Sequence, residues 1–280
     1  MIKLIMKKHT MEQEVKSLIK KLIPRQYHPW FVDLYVKYEY SLIKFRCPFC
    51  SGHFRKLLPT GYYVPELRTK NITGGGYRLN VKCPGCLSSD RERLIFLYLK
   101  NRTSVFSENL RMLHVAPERN LQKVLLAHPN IDYLSVDLNS PLAIVQMDIT
   151  NIQYEDNSFD VIICNHVLEH IPDDRKAMSE LHRVLKPGGC AILQVPVSQS
   201  LITTHEDPSI TAPDEREKAF GQSDHVRIYA RDYRDRLESV GFSVQVYSFL
   251  REFGWLAVHK YALLKDENVY IGTKPEQGTV

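Results

Sequence analysis

Residues 156–197 read DNSFDVIICNHVLEHIPDDRKAMSELHRVLKPGGCAILQVPV, and this stretch decides the fold. Its apolar run FDVIICNHV predicts a buried strand. The segment DDRKAMSELHRVL predicts a helix, because one set of apolar residues recurs at helical spacing: Ala177, Met178, Leu181, Val184 and Leu185. The glycines of KPGG end that helix, and CAILQVPV predicts a second buried strand. Such a strand–helix–strand unit is typical of a parallel sheet.

The same alternation extends in both directions from this unit. On the N-terminal side, LRMLHV, IDYLSVDLN and AIVQMDIT predict strands, and RNLQKVLLAH predicts a helix. On the C-terminal side, ARDYRDRLESV predicts a helix, and FSVQVYSF and NVYIGTK predict strands. The sequence therefore predicts an α/β fold with a mainly parallel, seven-stranded sheet and helices on both faces.

Polar residues stand at the ends of the predicted strands, where ligands of such sheets bind. Asp137 ends the second strand, where a carboxylate can accept hydrogen bonds from both ribose hydroxyls. Asp148 ends the third strand, where a carboxylate can accept from the exocyclic amine of adenine. Asn165 and His166 follow the fourth. A single aspartate at a strand end is usually a turn former, but two in this order indicate a nucleoside site.

The quoted stretch resembles the class I S-adenosylmethionine-dependent methyltransferases, of the type with LEH after the fourth strand and LKPGG before the fifth. The resemblance spans roughly residues 110–247 and implies a Rossmann-like fold that binds S-adenosyl-L-methionine. The matching cofactor positions are His114, Ala116, Glu118, Asp137, Leu138, Asp148, Ile149, Asn165 and His166. NHVL stands where exocyclic-amine methyltransferases carry an NPPY-like stretch, which leaves O-, N- or C-methylation of other acceptors open.

The turn after the first strand, RMLHVAPERN at residues 111–120, departs from the family pattern because it contains no glycine. The family usually has an acidic residue and then Gly-x-Gly-x-Gly; here His114 stands at the acidic position and Ala116 at the first glycine. Pro117 is suited to begin the next helix, whose free N–H groups can meet a carboxylate. Glu118 can hold the cofactor's ammonium. The alternative is a site that has lost the cofactor.

Two C-x-x-C pairs, CPFC and CPGC, precede the α/β part, and resemble a bacterial group of methyltransferases with an N-terminal zinc ribbon. Cys47, Cys50, Cys83 and Cys86 predict a structural Zn²⁺ site, because four thiolates close a tetrahedral shell. The alternative is two disulfides, which a cytosolic setting disfavours. The predicted domains are a helical segment at 1–44, the zinc ribbon at 45–88, a linking helix at 89–109 and the methyltransferase domain at 110–280.

The long polar segment at residues 198–228 is predicted to be a lid over the methyl acceptor, because it is longer than most connections. His225 is the first candidate for a general base and His166 the second, since imidazole takes a proton near neutral pH. The alternative for each is a hydrogen-bonded histidine that shapes the pocket. The candidate acceptor contacts are His205, Glu206, Asp207 and Arg227, of which Arg227 alternatively pairs with a lid carboxylate.

Charge is unevenly distributed along the chain. Residues 1–109 hold 20 Lys and Arg against 8 Asp and Glu, whereas residues 110–280 hold 17 against 24. Our first prediction is a methyltransferase for a small-molecule or biosynthetic-intermediate acceptor, which the polar lid favours. The basic N-terminal part favours an RNA methyltransferase that grips phosphates. The absent glycines favour a third alternative, a non-catalytic module without cofactor.

The sequence offers no sign of membrane insertion. No apolar run approaches the roughly 18 residues of a membrane span, and MIKLIMKKHT lacks the apolar core of a signal peptide. We therefore expect a cytoplasmic protein with no membrane partner, and its oligomeric state stays open.

Overall fold

The computed structural model describes residues 44–276, so the helical segment predicted at residues 1–44 lies outside the described residues apart from Lys44. The N-terminal part consists of short elements: β1 Phe45–Arg46, β2 His53–Phe54, β3 Leu58–Thr60, α1 Pro65–Thr69, β4 Arg78–Lys82 and α2 Asp90–Arg102. Strand β1 pairs with β2 and β3 with β4, both antiparallel. Each C-x-x-C pair therefore begins directly after a strand.

The remaining residues form the α/β part. Its elements are β5 Leu110–Val115, α3 Arg119–Leu126, β6 Ile131–Asp137, β7 Val145–Gln146, β8 Phe159–Cys164, a 3-10 turn Leu168–His170, α4 Asp174–Val184, β9 Leu185–Ile192, β10 His205–Glu206, α5 Pro213–Phe220, β11 Arg227–Ile228, α6 Tyr233–Glu238, β12 Ser243–Ser248, α7 Phe249–Lys260 and β13 Asn268–Thr273. Within residues 44–276, none of these helices has the length and apolar character needed to cross a bilayer.

Seven strands form one sheet in the order β12-β13-β9-β8-β5-β6-β7. Neighbouring strands run parallel, except that β13 is antiparallel to both β9 and β12. Successive residues face opposite sides: Leu113 packs in the core beneath α4, and Met112 in the core beneath α2 and α3. This is the Rossmann-like fold of the class I methyltransferases, so the predicted fold class is confirmed.

Two strands differ in extent from the prediction. Strand β9 begins at Leu185 and includes KPGG, which was predicted to be a turn before CAILQVPV. The ladder between β8 and β9 shifts register here, and a Cβ on Gly189 would lie 2.8 Å from the carbonyl oxygens of Asp160 and Lys186. The glycine therefore permits a bulge rather than a turn. Strand β7 is shorter than AIVQMDIT because the chain turns at Asp148.

The predicted lid, residues 198–228, is folded. Strands β10 and β11 pair antiparallel, and α5 lies between them and ends at Gly221, whose φ is 89°. Phe220 and Ile228 of this segment are buried together with Leu67 and Ile72 of the N-terminal part. The lid and the N-terminal part thus share a small apolar core.

Arg93 joins the N-terminal part to the α/β part. Its side chain is fully buried, and its guanidinium donates to three backbone carbonyls: Ser88 O at 2.7 Å, Tyr261 O at 2.8 Å and Ala262 O at 2.9 Å. Ser88 follows the second cysteine pair, and Tyr261 follows α7. One side chain therefore fixes the cysteine turns against the last helix.

Replacing Arg93 by methionine is expected to lower the free energy of unfolding by about 3 kcal/mol, because three buried carbonyls lose a charged donor. Urea unfolding followed by circular dichroism measures this. The control is Lys100→Met at an exposed position of the same helix, expected to stay within about 0.5 kcal/mol of the unaltered protein. Equal effects of the two substitutions would contradict the role given to Arg93.

Candidate functional site

Asp137 and Asp148 lie at the carboxyl edge of the sheet. Oδ1 of Asp137 accepts from the backbone N–H groups of Asn139 at 2.7 Å and Ser140 at 2.6 Å. Oδ1 of Asp148, an exposed residue, accepts from the Thr150 N–H at 2.8 Å. Each carboxylate thus shapes its turn with one oxygen, and its other oxygen can accept from a ligand. The turn-forming and ligand-binding interpretations are compatible.

The two neighbouring apolar positions differ in what they can offer a nucleoside. The Leu138 side chain is 56% exposed beside Asp137, and it can cover one face of a purine. The Ile149 side chain is buried in the core under α4. Any contact of Ile149 with a ligand must therefore come from its backbone.

The glycine-free turn adopts the backbone conformation that glycine usually provides. Ala116 has a φ of 49°, in the left-handed region, and its N–H donates to Val136 O at 2.8 Å. Pro117 follows, and Glu118 precedes the first turn of α3 in an extended conformation. Left-handed geometry costs a residue with a Cβ roughly 1–2 kcal/mol. The turn therefore keeps its shape without glycine, at a cost in stability.

Ala116→Gly is expected to raise the free energy of unfolding by about 1 kcal/mol, because glycine adopts a positive φ without steric cost. Chemical denaturation measures the change. The matched control is Ala127→Gly, in a right-handed conformation at the end of α3, where glycine should destabilise by up to about 1 kcal/mol. Destabilisation by both substitutions would show that the turn is not strained at Ala116.

His114 is buried and contacts Glu118. The imidazole is fully buried, with Nδ1 2.9 Å from the Tyr133 hydroxyl and Nε2 2.8 Å from Oε2 of Glu118. Asn165 donates from Nδ2 to Oε1 of Glu118 at 3.2 Å. Both ring nitrogens are therefore occupied within the protein, and the contact of His114 with the cofactor, which stays a prediction, would have to come from its backbone. Burial acts to raise the pKa of Glu118, but the bonds from His114 and Asn165 lower it overall.

An unsatisfied amide oxygen lies beside this ionised carboxylate. Oδ1 of Asn165 is buried and has no hydrogen-bond partner within the described part of the chain. Leaving a buried acceptor unpaired costs about 1–3 kcal/mol, which indicates a missing donor. The ammonium of a methionine moiety carries such donors, and Glu118 balances its charge. These residues therefore fit S-adenosyl-L-methionine.

A cavity of about 440 Å³ lies between the N-terminal part, the lid and the sheet edge. Its polar lining includes Arg78, Arg91, His166 and His225, and Gly74, Gly75 and Gly76 form part of one wall. Its volume is in the range of small-molecule pockets. His166 has a φ of 52°, a left-handed conformation of the kind that concentrates at functional sites.

The two candidate bases are neutral imidazoles at pH 7. Burial, together with the nearby His170, lowers the pKa of His225 to about 4. Burial and the positive charge of Arg91 hold the pKa of His166 well below its usual value. A base works best when its pKa lies near the operating pH. Both side chains line the cavity, but their environment favours hydrogen bonding to the acceptor over proton abstraction.

The polar lid residues mostly bind one another. Arg227 is buried; it donates from Nε to Oε2 of Glu206 at 2.9 Å and from its other nitrogens to backbone carbonyls. Glu206 also pairs with Arg236. Oδ1 of Asp207 accepts from the Ser209 N–H at 2.9 Å, and the exposed His205 packs near Phe220. Of the four predicted acceptor contacts, only Arg227 lines the cavity, and its guanidinium is paired with the Glu206 carboxylate.

The strand-end residues fall within a segment shared with known proteins. Residues 109–193 match the family model described as a methyltransferase domain. This match covers Glu118, Asp137, Asp148 and Asn165, and it excludes the cysteine pairs and the lid.

Curated relatives match over a short stretch. Demethylmenaquinone methyltransferase of Staphylococcus epidermidis is 41% identical over 51 residues, which are 18% of this chain and 21% of that protein. The 2-phytyl-1,4-naphtoquinone methyltransferase of Nostoc punctiforme is 38% identical over 52 residues, 19% of this chain and 23% of that protein. The chain thus spans about a fifth of the length of the curated relatives that it matches.

Solved methyltransferase structures show low sequence identity to the chain. Phosphoethanolamine N-methyltransferase 2 of Haemonchus contortus, in complex with S-adenosyl-L-methionine, is 17% identical with a TM-score of 0.46, over 68% of this chain and 53% of that one. A SAM-dependent methyltransferase from Archaeoglobus fulgidus is 16% identical with a TM-score of 0.44, over 67% and 95%.

Outside residues 109–193, four cysteines converge. Their Sγ atoms all lie within 4.8 Å of one another, with Cys47 3.5 Å from Cys86 and Cys50 3.6 Å from Cys83. All four are free thiols, so the disulfide alternative is not present. Tetrahedral zinc with bonds of about 2.3 Å requires sulfur atoms a little under 4 Å apart. The four side chains therefore fit a zinc ion.

Sequence reasoning did not place several polar residues that lie at or behind the cavity. Burial raises the pKa of Glu169 to about 8 and that of Glu267 to about 7. Gln194 donates from Nε2 to Oε1 of Glu267 at 2.7 Å. The position of Arg91 in the first turn of α2, against the helix dipole, was a usable signal for a functional cation. Glu267 precedes the last strand and carried no such signal.

Proposed function

We propose that the protein is an S-adenosylmethionine-dependent methyltransferase whose acceptor is a small molecule. One observation carries this: the ionised Glu118, the unpaired oxygen of Asn165 and the Asp137 carboxylate lie along one edge of a class I methyltransferase sheet. The two curated relatives described above are named for methylation of quinones, which are small molecules. The adjoining cavity of about 440 Å³ is compatible with an acceptor of that size.

Each part of the chain has a role in this function. Bound S-adenosyl-L-methionine supplies a methyl group on a positively charged sulfur, ready for direct displacement. Asp137 holds the ribose hydroxyls, and Glu118 with Asn165 holds the ammonium. The cavity aligns the acceptor with the bond that breaks, and such positioning is worth effective molarities of about 10⁵ M or more.

A zinc ion in the four-cysteine site would serve this function indirectly. Four sulfur ligands leave no open position for chemistry, so the site is structural. Through Arg93 and the shared apolar core, it fixes the segment that contains Thr60, Gly61, Tyr62 and Arg78 as one wall of the cavity.

The acceptor class can be tested with radiolabelled S-adenosyl-L-methionine and fractionated cell extract. We expect label in the small-molecule fraction, and we expect Asp137→Ala to abolish it. Mass spectrometry of the labelled product then identifies the acceptor. Label in RNA alone, or in neither RNA nor small molecules in extracts from several growth conditions, would contradict the proposed function.

The RNA alternative has one observation in its favour. Tyr62, Tyr63 and Tyr77 are 84%, 76% and 46% exposed near the cavity, where bases could stack on them. Arg78, however, is paired with Asp90. Neutralising the exposed Arg55 and Arg68 should weaken RNA binding and flatten its salt dependence if this alternative holds. A small-molecule enzyme should be indifferent to these changes.

A further inference from the structure

Three side chains with metal-binding atoms meet beside the acceptor cavity. Glu169 and His170 belong to the 3-10 turn after β8, and His225 precedes β11. One carboxylate oxygen and one nitrogen from each imidazole all lie within 4.8 Å of one another. His225 lines the cavity, so the cluster borders the space given above to the acceptor.

A buried, unsatisfied carboxylate oxygen independently points to a missing ligand. Glu169 is 1% exposed, and its Oε2 has no hydrogen-bond partner among residues 44–276. His225 is 4% exposed. An unpaired oxygen of a buried carboxyl group is costly unless a cation or a hydrogen-bond partner meets it.

The surroundings hold the cluster in an orientation suited to a cation. Oδ2 of Asp224 and its carbonyl oxygen each lie 3.3 Å from Nδ1 of His170, which leaves Nε2 to bind an ion. Nδ1 of His166 lies 3.3 Å from Oε1 of Glu169. Partners of this kind orient the ligands of metal sites.

We propose that Glu169, His170 and His225 bind a divalent first-row transition-metal ion, separate from the four-cysteine site. Two imidazoles and one carboxylate suit such an ion, and three protein ligands leave coordination positions open. Bonds of about 2.1 Å need donor atoms roughly 3–4 Å apart, so small side-chain rotations complete the site. Arg78 and Arg91 line the same cavity.

The open positions face the acceptor, and this part of the proposal rests on the proposed function. An acceptor hydroxyl bound there loses its proton to water; its oxygen forms a bond to the methyl carbon as the carbon–sulfur bond breaks. The electron pair of that bond stays on sulfur, which leaves as S-adenosylhomocysteine. The substrate class is therefore an acceptor with a metal-binding oxygen, methylated on oxygen. A metal in this position also supplies the activation that the neutral His225 and His166 lack.

Manganese(II) binding to the zinc-loaded protein, followed by electron paramagnetic resonance, tests the site, because Mn²⁺ competes poorly for four thiolates. We expect saturable binding that weakens at least about 30-fold in both Glu169→Gln and His225→Gln. His205→Gln, an exposed histidine of the same lid, is the matched control and should leave Mn²⁺ affinity unchanged. Far-ultraviolet circular dichroism confirms that each variant is folded.

The outcomes separate this proposal from the proposed function. No saturable Mn²⁺ binding, or equal binding by Glu169→Gln and the control, overturns the metal site even if methyl transfer is found. Binding that depends on Glu169 and His225 supports the site even if no methyl transfer is detected, and in that case only the proposed function fails. If His170 and His225 only pack against each other, we expect no saturable Mn²⁺ binding.

Discussion

Replacing Cys47 by serine is expected to abolish zinc binding and unfold the N-terminal part of the protein. Structural zinc contributes roughly 10–16 kcal/mol in small zinc domains, and residues 45–88, whose strands have only two to five residues, have little other source of stability. The zinc content should fall from about one ion per chain to about none. The first thermal transition should fall by more than about 10 °C. Plasma emission spectrometry and calorimetry measure the two effects.

The Cys47→Ser variant should separate the acceptor cavity from the cofactor site. Methyl transfer should be lost with the cavity wall, whereas S-adenosylhomocysteine should still bind within about threefold, because its predicted contacts come from the α/β part. Cys190→Ser, at a partly buried position outside the cluster, is the matched control and should retain its zinc. A zinc-free variant that keeps its full thermal stability would contradict the structural role of the ion.

Asp137→Ala is expected to weaken S-adenosylhomocysteine binding about 10- to 150-fold. The carboxylate is placed to accept hydrogen bonds from the ribose hydroxyls. Hydrogen bonds to charged groups contribute about 1.5–3 kcal/mol. Loss of the Asn139 and Ser140 bonds loosens the adjacent turn as well. Isothermal titration calorimetry gives the affinity, and Asp137→Asn, which keeps an acceptor for that turn, separates the two causes.

Asp132 provides the control for this measurement. It lies on the same strand, is largely exposed and pairs with Arg111 at 3.2 Å on the surface. Asp132→Ala should bind S-adenosylhomocysteine with unchanged affinity, since exposed ion pairs contribute little. A loss of affinity of similar size in both variants would indicate a general effect of charge or stability.

The fold was predictable because the sheet depends on apolar periodicity, which is a local property. All seven strands of the sheet were anticipated, and α4 has the predicted buried face. The start of β9 was not, because KPGG has the composition of a turn. Its bulge depends on pairing with β8 and β13, which a local pattern does not contain.

The positions of site residues were predictable where the residue type and its place in the sequence alone indicate the chemistry. The four cysteines converge as their spacing suggested, and Asp137 and Asp148 lie at the expected edge. The partner of each lid side chain was not predictable, because Arg227 meets Glu206 only through the pairing of β10 with β11. The contact between His114 and Glu118 was not predictable either, because it too depends on the folded structure.

The central claim is that the carboxyl edge of this sheet binds an adenosyl cofactor despite its glycine-free turn. Calorimetric titration of the unaltered, zinc-loaded protein with S-adenosylhomocysteine tests it most directly. We predict saturating heat at a ratio of about one ligand per chain, and an affinity about 10- to 150-fold lower in Asp137→Ala. A flat titration of a folded protein, or an Asp137→Ala curve identical to that of the unaltered protein, would contradict the account.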